Sequence, residues 1–230
     1  MDIKGIQNSL IDYPGNICLT IFTGGCNYRC PFCHNSDLVL KPEQMESIDI
    51  DAVMQKIKNR ANLVDGITVT GGEPLINKDL GDFLASVKDV GMKTKLDTNG
   101  SFPIELEGLI SRGVLDYIAM DVKTSPEKYS LAAGVRVDIG AVRESADIIR
   151  SSKVDYEFRT TVVPTLVNAE DIDSIGKWLN GSKRYYLQQF SPEESLSAEF
   201  RKMKEYGKSE IMEFKRIAER YFLNVGVRGL

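Results

Sequence analysis

Three cysteines, Cys26, Cys30 and Cys33, lie within eight residues in the spacing C-x3-C-x2-C. Glycines precede the group and Pro31 lies inside it, so the segment is predicted to be a loop whose turns bring the three thiolates together. In a reducing cytosol, clustered cysteines more often bind metal or react than form structural disulfides. The spacing therefore indicates a metal or iron–sulfur site.

The number of cysteines limits which iron–sulfur chemistry is available. A cubane cluster that only transfers electrons normally takes four cysteine ligands, and the chain contains one further cysteine, Cys18. Cys18 lies inside the predicted preceding strand, which at about 3.3 Å per residue carries it more than roughly 10 Å from the loop. We interpret it as a small buried hydrophobic residue. Three ligands leave one iron with an open coordination position, which a metal needs in order to bind a substrate.

A structural zinc site is the competing interpretation of the same loop. Zinc is bound by Cys3His ligand sets in many small domains, and His34 is the only histidine of the chain. Cys33 and His34 are adjacent, however, and both side chains would have to face one ion. The spacing favours the iron–sulfur interpretation over zinc.

Further polar motifs follow the next predicted strands of the chain. They are Thr70-Gly71-Gly72-Glu73-Pro74, Asp97-Thr98-Asn99-Gly100 and Met120-Asp121-Val122-Lys123. In α/β folds, the carboxyl ends of parallel strands meet at one edge of the sheet, where active sites assemble. We therefore expect these motifs and the cysteine loop to form one site.

The elements that must position these motifs follow from the hydrophobic pattern, which alternates short β-branched runs with amphipathic stretches. Strands are predicted near 16–23, 66–70, 93–97, 115–121, 154–163, 184–190 and 223–228. Helices are predicted near 50–62, 77–90, 103–111, 139–152, 169–180 and 207–221. This alternation predicts an α/β fold with parallel strands, right-handed connections and helices outside the sheet. Periodicity does not distinguish an open sheet from a barrel.

Composition and charge restrict the class of protein. The 230 residues are 42% hydrophobic and 27% charged, which is typical of a globular protein. A net charge of -4 gives no general attraction to nucleic acid or anionic membranes, so neither partner is expected. No stretch reaches the roughly 20 apolar residues of a membrane span, and the N-terminal segment lacks the apolar core of a signal peptide. We expect a cytoplasmic protein with a single domain over 1–230, its core at about 14–190 and a C-terminal helix and strand within 200–230.

The cysteine loop resembles that of the radical S-adenosylmethionine (SAM) superfamily, in which an aromatic residue precedes the last cysteine. Phe32 occupies that position. The segment Gly71-Gly72-Glu73 resembles the superfamily's GGE motif, which binds the amino group of the methionine moiety of SAM. Glycines let a backbone approach a ligand closely, and a carboxylate complements an ammonium group. Taken alone, the same segment is also typical of a strand-to-helix turn.

This resemblance implies both a fold and an activity. The fold is a partial, six-stranded parallel (β/α) barrel, open on one side. The three loop cysteines hold a 4Fe–4S cluster, and SAM binds at the open iron. One electron passes to the sulfonium, which releases methionine and a 5′-deoxyadenosyl radical that removes a hydrogen atom from a substrate. The protein is expected to be an oxygen-sensitive oxidoreductase.

Within the superfamily, the strongest resemblance is to enzymes that activate glycyl radical enzymes. Cys33-His34-Asn35 is typical of them, as are the motifs after the third and fourth predicted strands. The resemblance implies that Asp97, Thr98 and Asp121 hold a monovalent or divalent cation, and that Lys123 faces the carboxylate or the ribose of SAM. Two aspartates and a hydroxyl at adjacent strand ends also suit a hard cation. Their other interpretation is helix capping and a surface ion pair.

Arg159, in the fifth predicted strand, matches a position that contacts the cofactor in relatives. An arginine inside an apolar strand needs a carboxylate partner in either case. Gln189 is a weaker candidate, and we interpret it as a solvated strand end. The resemblance thus implies the following cofactor-binding residues: Phe32, His34, Asn35, Gly71, Gly72, Glu73, Asp97, Asn99, Lys123 and Arg159.

Two functions remain open. The first is an activase that removes hydrogen from a glycine of a partner enzyme of the anaerobic ribonucleotide reductase or formate-lyase type, with flavodoxin or ferredoxin as electron donor. Asp12-Tyr13-Pro14-Gly15, where activators commonly read Asp-Gly-Pro-Gly, most resembles the ribonucleotide reductase branch. The second is a radical SAM enzyme acting on a small molecule such as a deazapurine precursor. Cys33-His34-Asn35 favours the first, because deazapurine-forming relatives tend to carry Asp-Thr there.

Overall fold

The computed structural model describes residues 1–193 and 195–230. Within them, eight strands form one sheet in which each strand is hydrogen-bonded to the next along the chain. The strands are β1 Ile3–Tyr13, β2 Asn16–Thr23, β3 Gly66–Gly71, β4 Lys93–Thr98, β5 Tyr117–Asp121, β6 Asp155–Val162, β7 Arg184–Gln189 and β8 Asn224–Arg228. β1 runs antiparallel to β2, and every later pair is parallel.

Helices connect the parallel strands. They are α1 Ser36–Leu40, α2 Ile50–Arg60, α3 Leu80–Asp89, α4 Pro103–Ser111, α5 Tyr129–Ala133, α6 Ile139–Ser151, α7 Ala169–Trp178 and α8 Lys208–Ala218. The start of α2 follows from capping, since the side chain of Asp49 accepts hydrogen bonds from two backbone N–H groups there. The alternation of strands and helices confirms the predicted α/β class. The five-residue helices α1 and α5 were not predicted, because one turn is too short to show a hydrophobic period.

The sheet is strongly curved. Arg159 on β6 reaches Asp97 on β4 across the intervening strand, with Nη1 and Oδ2 3.1 Å apart. The rings of Tyr13 on β1 and Tyr117 on β5 have centroids 5.9 Å apart, although three strands separate them in the sheet. Side chains of distant strands meet in this way only on the concave face of a partial barrel. The predicted open (β/α) barrel is therefore confirmed, with β1 and β8 as its edges. The expected number of six strands is wrong, because the described residues form a sheet of seven parallel strands and the antiparallel β1.

The two faces of the sheet differ in polarity. Leu19, Ile21, Ile67 and Leu96 are fully buried in the main apolar core. Alternate residues along the same strands belong to the concave face, as the period of two requires. There Thr20, Thr68 and Lys95 are buried polar side chains. The barrel interior thus provides polar groups beneath the carboxyl ends of the strands.

Strand β1 is the main addition to the predicted elements. Its inner face is partly buried, but Leu10 and Ile11 are 76% and 85% exposed, so its sequence lacks the clean alternation that predicts a half-buried strand.

In the part of the chain that the structure describes, no helix has the length and apolar character needed to cross a membrane.

Candidate active site

The cysteine loop follows β2 directly and is shaped by its own backbone. The N–H of Cys33 donates to the carbonyl of Cys30 (3.0 Å), and the N–H of Tyr28 donates to Sγ of Cys26 (3.3 Å). Arg29 closes the first turn, since its Nη1 donates to the carbonyl oxygens of Cys26 and Tyr28 at 2.6 and 2.8 Å. Burial raises the pKa of all three thiols, that of Cys30 to about 12. A bound metal cluster would reverse this preference, because thiolates are its ligands.

The Gly71-Gly72-Glu73 segment packs against the backbone of this loop. The N–H of Gly72 donates to the carbonyl of Thr23 (2.9 Å), and the N–H of Glu73 donates to that of Gly25 (2.8 Å). A Cβ on Gly72 would overlap the carbonyl oxygen of Gly25, and Gly71 has φ +116, which disfavours other residues. The glycines therefore permit close approach of the cysteine loop, whereas the sequence predicted close approach of a ligand.

Glu73 is completely buried. Its carboxylate accepts hydrogen bonds from the N–H of Leu75 (3.1 Å), the hydroxyl of Thr98 (2.9 Å) and the N–H of Asn99 (2.7 Å). These bonds connect the end of β3 to the end of β4. Burial raises the pKa of Glu73 from its ordinary 4.5 to about 7, and the three donors oppose the rise. Glu73 thus holds two motifs together and is ready to be ionised by a nearby positive charge.

We predict that Glu73 makes the stability of the ligand-free protein depend on pH. Its folded pKa of about 7 lies above the ordinary 4.5, so its contribution is fully present below pH 4.5 and is lost as the pH rises through 7. The free energy of unfolding of the wild type, relative to Glu73→Gln, should fall by roughly 3 kcal/mol between these limits. Urea denaturation at several pH values measures it. Parallel curves for the two proteins would show that the carboxyl group is not perturbed.

A chain of ion pairs lies beside Glu73 at the strand ends. Arg159 donates from Nε to Asp121 (2.8 Å) and from Nη1 to Asp97 (3.1 Å). The predicted carboxylate partner of Arg159 is therefore confirmed, and the β5–β6 register explains it, because Asp121 lies directly opposite Arg159. Lys123 Nζ lies 3.1 Å from Asp121, and Lys95 Nζ contacts Asp97. Burial would raise the pKa of Asp121, but the two cations beside it hold the pKa well below its ordinary range.

One cavity brings the predicted residues together. It encloses about 840 Å³ of space, including open solvent at its mouth. All predicted site residues except Arg159 line it: Cys26, Cys30, Phe32, Cys33, His34, Asn35, Gly71, Gly72, Glu73, Asp97, Thr98, Asn99, Asp121 and Lys123. Arg159 contacts two of the lining residues, Asp97 and Asp121. The structure therefore confirms that the motifs lie close together. That these residues bind a cluster, SAM or a cation stays a prediction.

The cavity also contains residues that the sequence analysis did not select. Tyr28, Thr70 and Thr161 line it. Tyr28 lies between two of the cysteines, and Thr70 directly precedes the Gly71-Gly72 pair. Thr161 lies two residues after Arg159 on β6 and so shares its face of the sheet. Position within a motif and the period of two were the signals that could have found them.

Side-chain bridges link the motifs across the cavity. Asn35 Nδ2 donates to the carbonyl of Gly71 (3.1 Å). Asn99 Nδ2 donates to Asn27 Oδ1 (2.9 Å) and lies 3.9 Å from Sγ of Cys26. The amides therefore connect the cysteine loop to the ends of β3 and β4.

Three further residues considered in the sequence analysis, Cys18, Gln189 and His34, contact groups other than the three cysteines. Cys18 is fully buried in a small cluster with Tyr13 and Tyr117, which confirms the prediction of a buried hydrophobic residue. Gln189 donates to the carbonyl of Tyr206 (2.8 Å) and does not line the cavity. His34 Nε2 lies 3.0 Å from the carbonyl of Ser191.

The residues around the cavity can be compared with three groups that they could bind: a zinc ion, a cubane cluster and a hard cation. Across residues 1–193 and 195–230, no three or more His, Cys, Asp or Glu side chains are arranged to hold one metal ion, which counts against mononuclear zinc. A cubane cluster presents separate irons, so its three thiolates need not converge on one ion, and the cysteines around the cavity fit it. The cation site does not fit, because both aspartates already pair with side-chain cations.

The model of the Radical SAM superfamily matches residues 20–179. This match covers most of the chain, and the curved parallel sheet and cysteine-lined cavity agree with it. The chain belongs to the radical SAM superfamily of enzymes, whose members use a 4Fe–4S cluster and SAM.

Two individual relatives within the superfamily have names that include an activating function. A Methanocaldococcus jannaschii protein with the provisional name of a glycyl-radical enzyme activating enzyme is 34% identical, over 98% of this chain and 95% of that one. The pyruvate formate-lyase-activating enzyme of Listeria monocytogenes is 29% identical, over 74% of this chain and 71% of that one.

Solved structures agree on the fold. Streptococcus suis SuiB superposes with a TM-score of 0.66 at 16% identity, over 90% of this chain and 47% of SuiB. Escherichia coli coproporphyrinogen III oxidase superposes with a TM-score of 0.60 at 16% identity, over 85% of this chain and 49% of the oxidase. This chain spans about half the length of these two proteins, and at such identity the likeness concerns the fold.

Proposed function

We propose that this chain is an activase that generates a glycyl radical on a partner enzyme. The single observation that carries the proposal is the convergence of the cysteine loop, the Gly71-Gly72-Glu73 segment and the polar ends of β4 and β5 on one cavity. The names of the two relatives described above support the choice of a protein glycine as the target.

Cys26, Cys30 and Cys33 would hold the 4Fe–4S cluster. When bound, the cluster and SAM supply a reductive cleavage that yields methionine and a 5′-deoxyadenosyl radical. The contribution of the protein is placement and exclusion of water. Some hydrogen bonds that hold the loop do not use the thiols, such as that from the N–H of Arg29 to the carbonyl of Ala133 (2.8 Å), and we expect the loop to keep this contact with or without the cluster.

The charges of the cavity suit the zwitterionic methionine end of SAM. The buried carboxylate of Glu73 and the carbonyl of Gly71 are acceptors for an ammonium group. Lys123, which lines the same cavity, is a donor for a carboxylate. An ammonium group near Glu73 would also favour its ionised form, which the three protein donors already prefer.

The mouth of the cavity needs a cover, because a 5′-deoxyadenosyl radical in contact with solvent would be quenched. A glycine-bearing loop of the partner suits this role, since glycine has no side chain to block approach to its Cα. We further propose that the partner is the anaerobic ribonucleotide reductase, on the Asp12-Tyr13-Pro14-Gly15 resemblance, and that a flavodoxin or ferredoxin supplies the electron.

Electron paramagnetic resonance tests this function directly. The reconstituted protein, mixed with the partner reductase, dithionite and SAM, should produce the doublet of a glycyl radical on the partner. Deuterium placed at the Cα of the target glycine should appear in 5′-deoxyadenosine. A partner in which that glycine is replaced by alanine is the matched control and should give no doublet.

The same mixture distinguishes the small-molecule alternative. If the glycyl radical enzymes of the source organism give no doublet while a deazapurine precursor accelerates formation of 5′-deoxyadenosine, the activase proposal is wrong. If neither occurs but SAM is still cleaved slowly, the superfamily assignment holds and the partner proposal fails.

A further inference from the structure

Lys95 on β4 is a fully buried lysine, 1% exposed, on the concave face of the barrel. The strand register places it beside Thr68 on β3 and Tyr117 on β5. Within the described residues, Asp97 is the one group that its ammonium contacts by hydrogen bond or ion pair. A buried charge is tolerated when it is paired, and removing its partner is strongly destabilising. Lys95 and Asp97 therefore form an obligate pair beneath the cavity.

Side-chain cations engage every oxygen of the aspartate pair. Lys95 contacts Oδ1 of Asp97, and Arg159 lies 3.1 Å from Oδ2. Arg159 Nε lies 2.8 Å from Oδ1 of Asp121, and Lys123 Nζ lies 3.1 Å from Oδ2. The group thus contains three positive side chains and two carboxylates. A bound metal ion would have to displace one of these cations and add charge to an already positive group.

Thr98, the third ligand implied by the resemblance, is also engaged elsewhere. Its hydroxyl donates to Glu73 Oε1 (2.9 Å) and accepts from the N–H of Gly100 (3.1 Å). The hydroxyl therefore stabilises the contact between β3 and β4. None of the three residues offers an oxygen free of protein contacts to a cation.

We propose that Lys95 takes the place of a bound cation in this protein. Its ammonium neutralises Asp97 from beneath, which leaves Arg159 and Lys123 to balance Asp121. The group then keeps one excess positive charge, and this charge faces the cavity to receive the carboxylate of the ligand. The identity of that ligand as SAM rests on the proposed function; the occupancy of the aspartates does not. The protein should therefore bind its ligand with no need for an added metal cation.

Measurements on the wild-type holoenzyme test this without any substitution. The affinity for SAM and the melting temperature should be equal in potassium, sodium, magnesium and choline chlorides at one ionic strength, which removes general screening effects. A loss of affinity of about tenfold in choline chloride, a typical coupling between two ligands, would overturn the proposal. The melting temperature is measured without SAM as well, so it reports on the aspartates even if the proposed function fails.

The Lys95→Met variant should convert the pair into a true cation site. It leaves Asp97 buried beside Arg159 alone, so potassium chloride should raise the affinity for SAM by roughly tenfold over choline chloride. Potassium chloride should also raise the melting temperature of the variant by roughly 2–4 °C over choline chloride, because the ion binds the folded state. Lys93→Met is the matched control, since Lys93 lies two residues earlier on the same strand and is exposed. It should behave as the wild type in both salts.

The Lys95→Met variant tests whether Lys95 replaces a bound cation, whether or not the variant folds. A folded Lys95→Met protein that is indifferent to potassium would overturn the proposal. If Lys95→Met does not fold in any salt, the double variant Lys95→Met/Asp97→Asn removes both charges and should fold and bind SAM equally in potassium and choline chlorides. A potassium requirement in the double variant would show that Lys95 does not replace the ion.

Discussion

A Cys33→Ala variant, reconstituted anaerobically with iron and sulfide, is expected to lose the brown colour of the protein. It should bind far fewer than the roughly four irons expected for a cubane cluster in the wild-type chain. Cys26→Ala and Cys30→Ala should behave in the same way. The reason is the number of ligands, because the chain offers three loop cysteines for one cluster, and two thiolates leave half of the irons without a protein ligand.

The loss should not come from unfolding. The turn from Cys33 to Cys30 uses backbone atoms, and Arg29 is anchored on the carbonyl of Ala133. The circular dichroism spectrum of each variant should therefore match that of the cluster-free wild type. Iron and sulfide analysis with the visible absorption spectrum measures the cluster.

Cys18→Ala is the matched control for this set. Its thiol lies 3.6 Å from the hydroxyl of Thr68 and 3.8 Å from that of Thr20, inside the barrel and away from the cavity. The variant should keep its cluster and lose about 1–2 kcal/mol of unfolding free energy, as a modest core truncation does. Loss of iron from Cys18→Ala with an intact fold would mean that the assigned ligand set is wrong.

A Gly72→Ala variant should lose both stability and cluster, although Gly72 offers no side chain to any ligand. The new Cβ would overlap the carbonyl oxygen of Gly25, which already accepts from the N–H of Glu73 at 2.8 Å. To make room, that carbonyl must move and the hydrogen bond must break. Overpacking of this kind costs about 1–3 kcal/mol or more. Because Cys26 follows Gly25 directly, the movement also displaces a cluster ligand.

Gly108→Ala controls for the general effect of replacing glycine. Gly108 lies inside α4, and within the described residues no atom other than those of its chain neighbours and its own helix backbone lies within 4 Å of the position that a Cβ would take. This substitution should stabilise the protein by about 0.5–1 kcal/mol, because alanine loses less backbone entropy than glycine in a helix. Urea denaturation and iron content of both variants give the comparison. Unchanged values for Gly72→Ala would contradict the close approach of the two segments.

Much of the candidate site could be predicted from sequence, because its residues come in short motifs directly after strands. Cys26-to-Cys33 and Gly71-Gly72-Glu73 each follow a run rich in β-branched residues, and Asp97-to-Asn99 follows the strand in which lysines alternate with Thr94 and Leu96. Parallel strands deliver their carboxyl ends to one edge. Local pattern and topology were therefore enough to place these motifs in one cavity.

The contacts that hold the motifs together were not predictable in the same way. The contact of Glu73 with an ammonium group stays a prediction, and the structure adds that its carboxylate accepts hydrogen bonds from the end of β4, which the sequence did not indicate. The two glycines were predicted to admit a ligand, and they admit the backbone of the cysteine loop. In both cases the sequence identifies a residue that can accept a hydrogen bond or allow close approach. The group that contacts it comes from a segment distant in the chain, which the local sequence does not indicate.

Local patterns are sufficient to predict the class of fold and the chemical groups at the strand ends, since both follow from periods and spacings within a few residues. Which side of each strand faces the interior of the barrel, by contrast, depends on how the whole sheet curves. In Lys93-Thr94-Lys95-Leu96-Asp97 the lysines read as the solvent face of a strand. The curvature of the sheet turns that face inward at Lys95, where the ammonium must pair with Asp97. Closure of a barrel depends on every strand together, so no local pattern contains it.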